Sequence, residues 1–370
     1  MTIMSKNLVV VAMSGGVDSS VAALLLKEQG MEVIGISMKT HETSHGSGEG
    51  EQQSKQGGTC CTAYDINDAR RVCQQLDIPF YPINFTEEFE EKVIHYFAKE
   101  YSEGRTPNPC VECNSQLKFS ALLKKARELG AYYLATGHYA TKSRDRNGRY
   151  HLMKARDRDK DQSYFLFRLN QEQLEHTLLP LGKYTKEEVR EFARSMGLKT
   201  ADKPESQEIC FVPNKDYAQF IEKNLPIYRG QSGNFVDQSG NVLGEHEGIH
   251  AYTVGQRRGL GISAGERLYV TDIIPEEKKV VLGSKESLLK KGLIAQEVSW
   301  VNREAVISGM TIESKIRYRH KGVVSVLSLI NENTVRLDFQ EPEGAVTPGQ
   351  AVVFYQDEEV LGGGWIEKGF

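Results

Sequence analysis

The 370-residue sequence lacks several features that would assign a protein to a class at once. No apolar run is long enough to span a membrane, and the first residues lack the apolar core and cleavage site of a secretory signal. These absences predict a soluble, cytoplasmic protein with no membrane partner. The net charge is only −4, which neither indicates nor excludes nucleic acid, because RNA binding depends on a local basic face.

Cysteine is also scarce, with six residues in the whole chain. In a cytosolic protein of this length, such a number points to catalytic, redox or metal chemistry more than to a disulfide framework. Cys73 lies on the apolar face of a predicted helix and is expected to be buried and inert. The adjacent Cys60 and Cys61 lack the x-x spacing that a second half of a four-cysteine zinc site would need.

The pair Cys110-x-x-Cys113 follows the stretch Gly104-Arg105-Thr106-Pro107-Asn108-Pro109. The two prolines predict an irregular loop here, with the next helix running from Phe119 to Leu129. By spacing alone, the pair fits half of a zinc site, a redox pair or part of an iron–sulfur cluster. Cys210 is the natural third member of the group.

A glycine-containing loop near the amino terminus is a candidate phosphate site. Leu8 to Ala12 predicts a buried parallel strand and Ser19 to Gln29 a helix, with Ser14-Gly15-Gly16-Val17-Asp18-Ser19 between them. The loop has neither the lysine of a P-loop nor the Gly-x-Gly-x-x-Gly of a dinucleotide fold. Its glycines, hydroxyls and helix dipole nevertheless suit phosphate oxygens, and Asp18 suits a bridging metal ion. The alternative is a capped turn without a ligand.

Strands and helices alternate over residues 1–213, which predicts an α/β domain with a parallel sheet. The loops at Ser14, Met38 and Gly137 would then meet at the carboxyl ends of its strands. Thr185 to Glu188 has the spacing of a capping box and predicts a helix that ends at Gly197. Short strands with glycine turns follow, which predict a small linker domain over 214–282 and an antiparallel β-barrel over 283–370.

Basic residues alternate at positions 315, 317, 319 and 321 of a predicted strand. This spacing would place four positive charges on one face, with Tyr318 and His320 opposite. The pattern is compatible with contact to RNA phosphates. It is equally compatible with a solvated edge strand that charge protects from aggregation.

Taken together, motifs along nearly the whole chain resemble those of the tRNA-specific 2-thiouridylases (the MnmA family), which are N-type ATP pyrophosphatases. They are Ser14–Ser19, Gly104–Pro109 with Cys113-Asn114, Thr136–Tyr139, Lys160–Leu166, Ile209–Phe211, Gly255–Gly261 and Thr347–Gln350. The resemblance implies ATP-dependent 2-thiolation of the wobble uridine of tRNA, in which the C2 oxygen is adenylated and then replaced by sulfur.

The resemblance also implies a set of site residues. Cys210 would carry a persulfide and Cys113 would be the catalytic nucleophile, with a cysteine desulfurase or relay protein as sulfur donor. ATP, with Mg²⁺ on its pyrophosphate, would contact Ala12, Met13, Ser14, Gly15, Gly16, Val17, Asp18, Ser19, Met38 and Gly137. No metal site formed by protein ligands alone is expected. The tRNA would contact Asn108, Pro109, Cys110, His138, Lys160, Asp161, Gln162, Tyr318, Arg319 and Gln350.

One position departs from the family pattern, because Cys110 stands where the family usually has aspartate. Three alternatives remain open at this point. The first is a tRNA thiolase in which Cys110, Cys113 and Cys210 hold an iron–sulfur cluster. The second is an amidotransferase or synthetase of the same superfamily that acts on a small molecule, and the third is a non-catalytic RNA-binding protein.

Overall fold

The structure is a computed structural model that describes residues 4–40, 63–205, 209–212, 214, 216–263, 265 and 267–370. Residues 41–62, which include the pair Cys60-Cys61, therefore lie outside the described residues. The chain forms two compact units, one of residues 1–93 with 110–215 and the other of residues 94–109 with 216–370. Within the described ranges, no helix is long and apolar enough to cross a membrane.

The elements up to residue 128 are β1 (Ser5–Ala12), α1 (Val17–Glu28), β2 (Glu32–Lys39), α2 (Ala63–Gln75), β3 (Phe80–Asn84), α3 (Thr86–Phe89), a π-helical turn (Glu90–Ile94), α4 (His95–Ser102), α5 (Pro109–Glu112), a π-helical segment (Cys113–Leu122) and α6 (Leu123–Glu128). They continue with β4 (Ala131–Ala135), β5 (Thr141–Arg144), β6 (Tyr150–Met153), a 3-10 turn (Ser163–Leu166), α7 (Gln171–Glu175), β7 (Thr177–Leu178), a 3-10 turn (Pro180–Lys183), α8 (Lys186–Ser195) and α9 (Tyr217–Asn224).

The remaining strands are β8 (Gly233–Val236), β9 (Val242–His246), β10 (Tyr269–Ile274), β11 (Lys279–Gly283), β12 (Leu289–Trp300), β13 (Met310–Lys315), β14 (Val323–Asn331), β15 (Thr334–Gly344), β16 (Ala351–Gln356) and β17 (Glu359–Gly369). Single 3-10 turns lie at Pro226–Tyr228, Ile249–Ala251, Pro275–Glu277, Glu286–Leu288 and Arg303–Ala305.

The first unit is built on a parallel sheet with the strand order β3-β2-β1-β4-β7. Val9, Val10 and Val11 of the central strand β1 are fully buried, as expected of a strand covered on both faces. From β1 the chain adds β2 and β3 on one side of the sheet, and it then adds β4 and β7 on the other side of β1. The order of strand addition therefore reverses at β1. The loops that follow these three strands meet at one edge, which is where open α/β sheets bind ligands.

The helix that carries the Cys110-x-x-Cys113 pair begins earlier than the sequence predicts. Its backbone is helical from Pro109 through the π-helical segment to Glu128, so the expectation of an irregular loop over the two cysteines is wrong. Pro109 occupies the first helical position, where a missing N–H leaves no helix hydrogen bond unmade. Cys110 and Cys113 therefore lie three residues apart on one face of a first turn.

The second unit contains two β structures. One is a four-stranded sheet in the order β10-β11-β8-β9, and the other is a six-stranded antiparallel barrel in the order β12-β15-β14-β13-β16-β17 that the pairing of β12 with β17 closes. The fold class predicted from the sequence is thus confirmed. The strand predicted over 315–321 is wrong, however, because β13 ends at Lys315 and the His320 N–H donates to the Arg317 carbonyl to form a turn.

Candidate functional site

The loop after β1 forms a compact turn held by its own hydroxyl groups. Ser14 and Ser19 place their Oγ atoms 3.2 Å apart, and Ser19 Oγ also accepts from the Ser14 N–H. Gly15 has φ +73°, a conformation that side chains rarely tolerate. Gly16 is the N-cap of α1 and has no side chain to accept from the first-turn N–H groups. The turn therefore presents hydroxyls and a helix N-terminus at the ligand-binding edge of the sheet.

Asp18, in the first turn of α1, contributes a carboxylate to this edge. Its Oδ1 accepts hydrogen bonds from the Tyr139 hydroxyl at 2.8 Å and from Lys186 Nζ at 2.7 Å. Burial and the Asp18 charge raise the pKa of Tyr139 far above its usual value, so its hydroxyl stays a donor. Gly137 packs so closely that a Cβ there would lie 2.8 Å from the Asp18 carbonyl carbon. The loops after β1 and β4 are thereby in direct contact.

Lys203 fixes the other side of the glycine loop. Its Nζ donates to the Gly15 carbonyl at 3.0 Å and forms ion pairs with Asp65 at 2.8 Å and Asp68 at 2.7 Å. Burial opposes protonation, but the two carboxylates outweigh it and raise the pKa of Lys203. A Cβ at Gly15 would lie 2.2 Å from the Asp65 carbonyl oxygen. The first turn of α2 thus holds the loop in place.

A second ion-pair chain leads away from Asp18. Lys186 Nζ also lies 2.8 Å from Glu205, whose other oxygen lies 2.8 Å from Lys160 Nζ. Burial alone would raise the pKa of Glu205, but hydrogen bonds from Lys160 and Lys186 lower it to about 2. These three side chains line a cavity of about 680 Å³ together with Arg156, Asp157, Arg158, Asp159, Thr185, Glu187 and Arg190.

Both residues that flank Cys113 anchor its helix to the segment 163–168. The Glu112 carboxylate is buried and forms an ion pair with Arg168, and Asn114 Nδ2 donates to the Phe165 carbonyl at 3.3 Å. Asn114 Oδ1 is buried with no hydrogen-bond partner. Cys113 itself is half-buried at the start of the π-helical segment, a kind of distortion that is frequent at functional sites.

Cys210 lies in the same unit as Cys113 and is also half-buried. Its neighbour Phe211 makes an edge-to-face contact with Phe89 of α3, at 5.6 Å between ring centroids, and α3 also contacts the π-helical segment. The two cysteine-bearing segments thus share one supporting helix. Among the residues that the structure describes, no three His, Cys, Asp or Glu side chains form a group that could hold a metal ion.

The remaining cysteines differ in exposure. Cys110 is exposed, one helical turn before Cys113. Cys73 is fully buried against Gly35 of β2, and burial raises the pKa of its thiol to about 12. The prediction that Cys73 is a buried core residue is therefore confirmed.

Comparison with known proteins decides the family. Residues 7–214 match a family described as the tRNA methyl transferase HUP domain, residues 218–284 match its PRC-barrel domain, and residues 290–366 match an aminomethyltransferase beta-barrel domain. Proteins named tRNA-specific 2-thiouridylase MnmA are similar over nearly their full length. The one from Geobacter metallireducens is 54% identical over 99% of this chain and 98% of its own. The protein from Carboxydothermus hydrogenoformans is 50% identical over 100% of this chain and 100% of its own length. The protein from Clostridium perfringens is 47% identical over 99% of this chain and 99% of its own length.

The chain belongs to the tRNA-specific 2-thiouridylase family. This membership confirms the resemblance drawn from the motifs, and with it the prediction of an ATP-using sulfurtransferase. The site residues that the resemblance implies are a separate matter, because no comparison assigns roles to them.

Three consecutive residues that the 2-thiouridylase motifs predict for tRNA are Lys160, Asp161 and Gln162. Lys160 Nζ donates a hydrogen bond to the Glu205 carboxylate. The Gln162 side-chain oxygen accepts from the Tyr139 N–H at 3.0 Å, and the Gln162 N–H donates to the Tyr139 carbonyl at 2.7 Å. The Asp161 carboxylate is buried and accepts from the Ala155 N–H at 2.9 Å. Asp161 therefore stabilises its own loop.

His138 is a further predicted tRNA contact in the first unit. Its ring is half-buried, with Nδ1 2.7 Å from the Thr136 hydroxyl and the ring 6.0 Å from that of Phe119. Burial and the nearby Lys118 charge hold the pKa of His138 well below its usual value. The imidazole is thus neutral at neutral pH, beside the helix that carries Cys113.

In the second unit, two distant 2-thiouridylase motifs come together. Gln350 Nε2 donates to the carbonyls of Thr106 and Pro107, each at 3.0 Å, and the Thr106 N–H donates to the Pro348 carbonyl at 2.8 Å. The Gln350 side chain therefore anchors the loop that precedes Asn108, which is itself buried. The sequence does not predict this anchoring role, because its motifs mark Gln350 as a tRNA contact.

Tyr318 and Arg319 lie in the turn that replaces the predicted strand. Arg317, Arg319 and Lys321 are exposed there, and Tyr318 is half-buried. The positive charges are thus still gathered at one place, although not by strand alternation. His320 is buried and lies 3.2 Å from Glu343.

The sequence does not reveal the lysines and the carboxylate that organise the glycine loop. Lys186 belongs to the predicted capping box, whereas Lys203 and Glu205 carry no local signal. Lys186 and Asp18 are separated by 168 residues, and Lys203 and Gly15 by 188. Only the fold reveals contacts of that kind.

Proposed function

We propose that this chain catalyses the ATP-dependent 2-thiolation of the wobble uridine of tRNA. The observation that carries the proposal is similarity over the full length to proteins named 2-thiouridylase, at 47–54% identity. The presence of Cys113 and Cys210 in the unit that holds the glycine loop supports it. The matched domain description names a methyl transferase, whereas the relatives that match over nearly the whole chain are named 2-thiouridylases.

In the first step, the uridine C2 oxygen attacks the α-phosphorus of ATP and pyrophosphate leaves. Residues 12–19, Met38 and Gly137 are proposed to bind the nucleotide, with the hydroxyls of Ser14 and Ser19 on phosphate oxygens. Mg²⁺ fits the site, because it is usually bound by one or two carboxylates together with phosphates and the Asp18 side chain is 32% exposed. When bound, the ion neutralises charge on the leaving pyrophosphate.

In the second step, a persulfide on Cys210 supplies the sulfur. Either the Cys113 thiolate attacks Cys210 Sγ and releases hydrosulfide, which displaces AMP from C2, or the terminal sulfur displaces AMP first and Cys113 then attacks Cys210 Sγ. In both routes the sulfane sulfur gains two electrons and the two cysteines become a disulfide. A cellular dithiol reductant must then reopen it.

The tRNA contacts are proposed at Asn108, Pro109, Cys110, His138, Lys160, Asp161, Gln162, Tyr318, Arg319 and Gln350. We propose that the chain has three domains, which comprise residues 1–213, 214–282 and 283–370. The cytoplasmic location, and a cysteine desulfurase or relay protein as the donor to Cys210, also stay predictions.

The test is mass spectrometry of wobble nucleosides after the purified protein has received tRNA, ATP, Mg²⁺ and a sulfur donor. We expect 2-thiouridine with the wild type, none with Cys113→Ser or Cys210→Ser, and a reduced amount with Cys110→Ser. Cys73→Ser is the matched control, because that thiol is buried away from solvent. Full activity of Cys210→Ser would overturn the persulfide assignment.

The cluster-dependent alternative is not favoured by the described part of the chain, in which no group of three such ligands forms. Anaerobically purified protein that contains iron and loses activity with it would restore this alternative. A small-molecule synthetase would exchange pyrophosphate with ATP in the absence of tRNA. A non-catalytic RNA-binding protein would leave tRNA modification unchanged in cells that carry Asp18→Ala.

A further inference from the structure

Four charged side chains form a continuous chain from the glycine loop to the stretch 160–162. Lys186 Nζ lies 2.7 Å from Asp18 and 2.8 Å from Glu205, and Lys160 Nζ lies 2.8 Å from the second Glu205 oxygen. Two carboxylates are thus balanced by two ammonium groups. A new ion bound at Asp18 or at Lys160 therefore changes the charge that Lys186 and Glu205 have to neutralise.

Exposure along this chain is uneven. The side chain of Lys186 is 10% exposed and that of Glu205 is 25% exposed, whereas Asp18 and Lys160 at the two ends are 32% and 36% exposed. A buried charge interacts more strongly with its neighbours than a solvated one. The ends are therefore accessible to ligands, and the middle transmits a change of charge with little screening.

We propose that Lys186 and Glu205 are positioning residues that couple the binding of tRNA at Lys160 to the binding of magnesium–ATP at Asp18. The inference rests on the proposed function for the two ligands, and it adds how one bound ligand changes the affinity for the other.

The physical steps follow from charge balance. When an RNA phosphate draws Lys160 away, Glu205 keeps Lys186 as its remaining cation in the chain. Lys186 then shifts towards Glu205, and its hold on the Asp18 carboxylate weakens. The freed oxygen becomes available to the cation that accompanies ATP. By linkage, a cation at Asp18 releases Lys160 to RNA by the same factor.

A second connection keeps Asp18 in place while Lys186 moves. The Tyr139 hydroxyl donates to Asp18 Oδ1 at 2.8 Å, and the Tyr139 backbone is held by Gln162 through two hydrogen bonds. The stretch that is proposed to meet the tRNA therefore also supports the residue that orients Asp18. Loss of Lys186 from Asp18 leaves this donor behind, so the carboxylate does not become disordered.

The experiment measures nucleotide affinity with and without tRNA. The probe is α,β-methylene-ATP, a nucleotide that cannot be cleaved between its α- and β-phosphates, in the presence of Mg²⁺. It is titrated calorimetrically into the protein alone and into the complex of the protein with unmodified tRNA. We expect tRNA to tighten nucleotide binding by at least about fivefold in the wild type. In Glu205→Gln the ratio of the two affinities should fall to near one.

Glu187→Gln is the matched control, because Glu187 is exposed on the wall of the same cavity and loses the same charge. Lys186→Gln is the second variant, with the same expected loss of the ratio should Glu205→Gln fold poorly. A purely structural role would weaken both affinities and leave their ratio unchanged.

The coupling would be overturned by a wild-type ratio of one, or by a ratio that persists in both Glu205→Gln and Lys186→Gln. An equal loss of the ratio in Glu187→Gln would also overturn the coupling, because the removal of any negative charge from the cavity would then have the same effect. Formation of 2-thiouridine by the wild type is measured on the same samples. That readout tests the proposed function independently of the coupling.

Discussion

The contact between Gly137 and the glycine loop gives a sharp test of the proposed nucleotide site. A methyl group at position 137 would lie 2.8 Å from both the Asp18 carbonyl carbon and the Ser19 nitrogen, whereas ordinary contact begins near 3.4 Å. Gly137 does not have a positive φ, so Gly137→Ala introduces no backbone strain of its own. The whole effect therefore comes from pushing residues 18 and 19 away by several tenths of an ångström.

The magnitude follows from the cost of overpacking. Extra methyl groups in well-packed regions cost about 1–3 kcal/mol, and about 1.4 kcal/mol corresponds to tenfold in an equilibrium constant. The free protein relieves the overlap by moving the loop, so the cost falls on the nucleotide-bound state. We expect Gly137→Ala to weaken binding of magnesium and α,β-methylene-ATP by roughly 5- to 150-fold.

The assay is the same calorimetric titration, with thermal unfolding as a check on folding. Gly344→Ala is the matched control, because no atom lies within 4 Å of a Cβ at that position and its φ is not positive. Its nucleotide affinity should equal that of the wild type. Wild-type affinity in a folded Gly137→Ala variant would refute the placement of the nucleotide at this loop.

Three further predictions concern stability and reactivity. Arg168→Met should lower the free energy of unfolding in urea by about 1.5–3 kcal/mol, because it removes the charge-assisted hydrogen bond that Arg168 donates to the buried Glu112 carboxylate; a loss below about 1 kcal/mol would contradict this. Burial lowers the pKa of Lys142 to about 8, so the folded state loses this proton at lower pH than the unfolded state. The free energy of unfolding of the wild type, relative to that of Lys142→Met, should therefore increase between about pH 8 and pH 10.5, the usual pKa of lysine. A difference that stays constant across that range would exclude a lowered pKa of Lys142. Alkylation of the native protein at pH 8 should label Cys110 and spare Cys73, as mass spectrometry would show; equal labelling would contradict the burial of Cys73.

Local patterns in the sequence predicted the parallel sheet and the start of α8. The strand predicted over Leu8–Ala12 is present as the larger part of β1, because the apolar content of a buried strand is visible without its neighbours. Thr185 forms the predicted capping box with Glu188, whose backbone and side chain both take part. Each of these features depends on residues within a few positions of one another.

Local patterns were misleading where a rule has an exception. Proline disrupts the interior of a helix but is tolerated at its first position, so the helix that begins at Pro109 was predicted to start ten residues too late. The alternation of basic residues over 315–321 has the period of a strand. The turn between Arg317 and His320 instead ends β13 at Lys315.

The sequence by itself determined the fold class, the glycine loop after β1 and, through its motifs, the family. The tertiary structure alone decided which charges meet at that loop. Lys186 reaches Asp18 across 168 residues, and Gln350 reaches Thr106 across 244. Such pairings depend on how strands and helices pack in three dimensions, and they leave no periodicity in the chain. The glycine loop is thus specified by neighbouring residues in the sequence, whereas the fold supplies the cations that hold its Asp18 and Gly15.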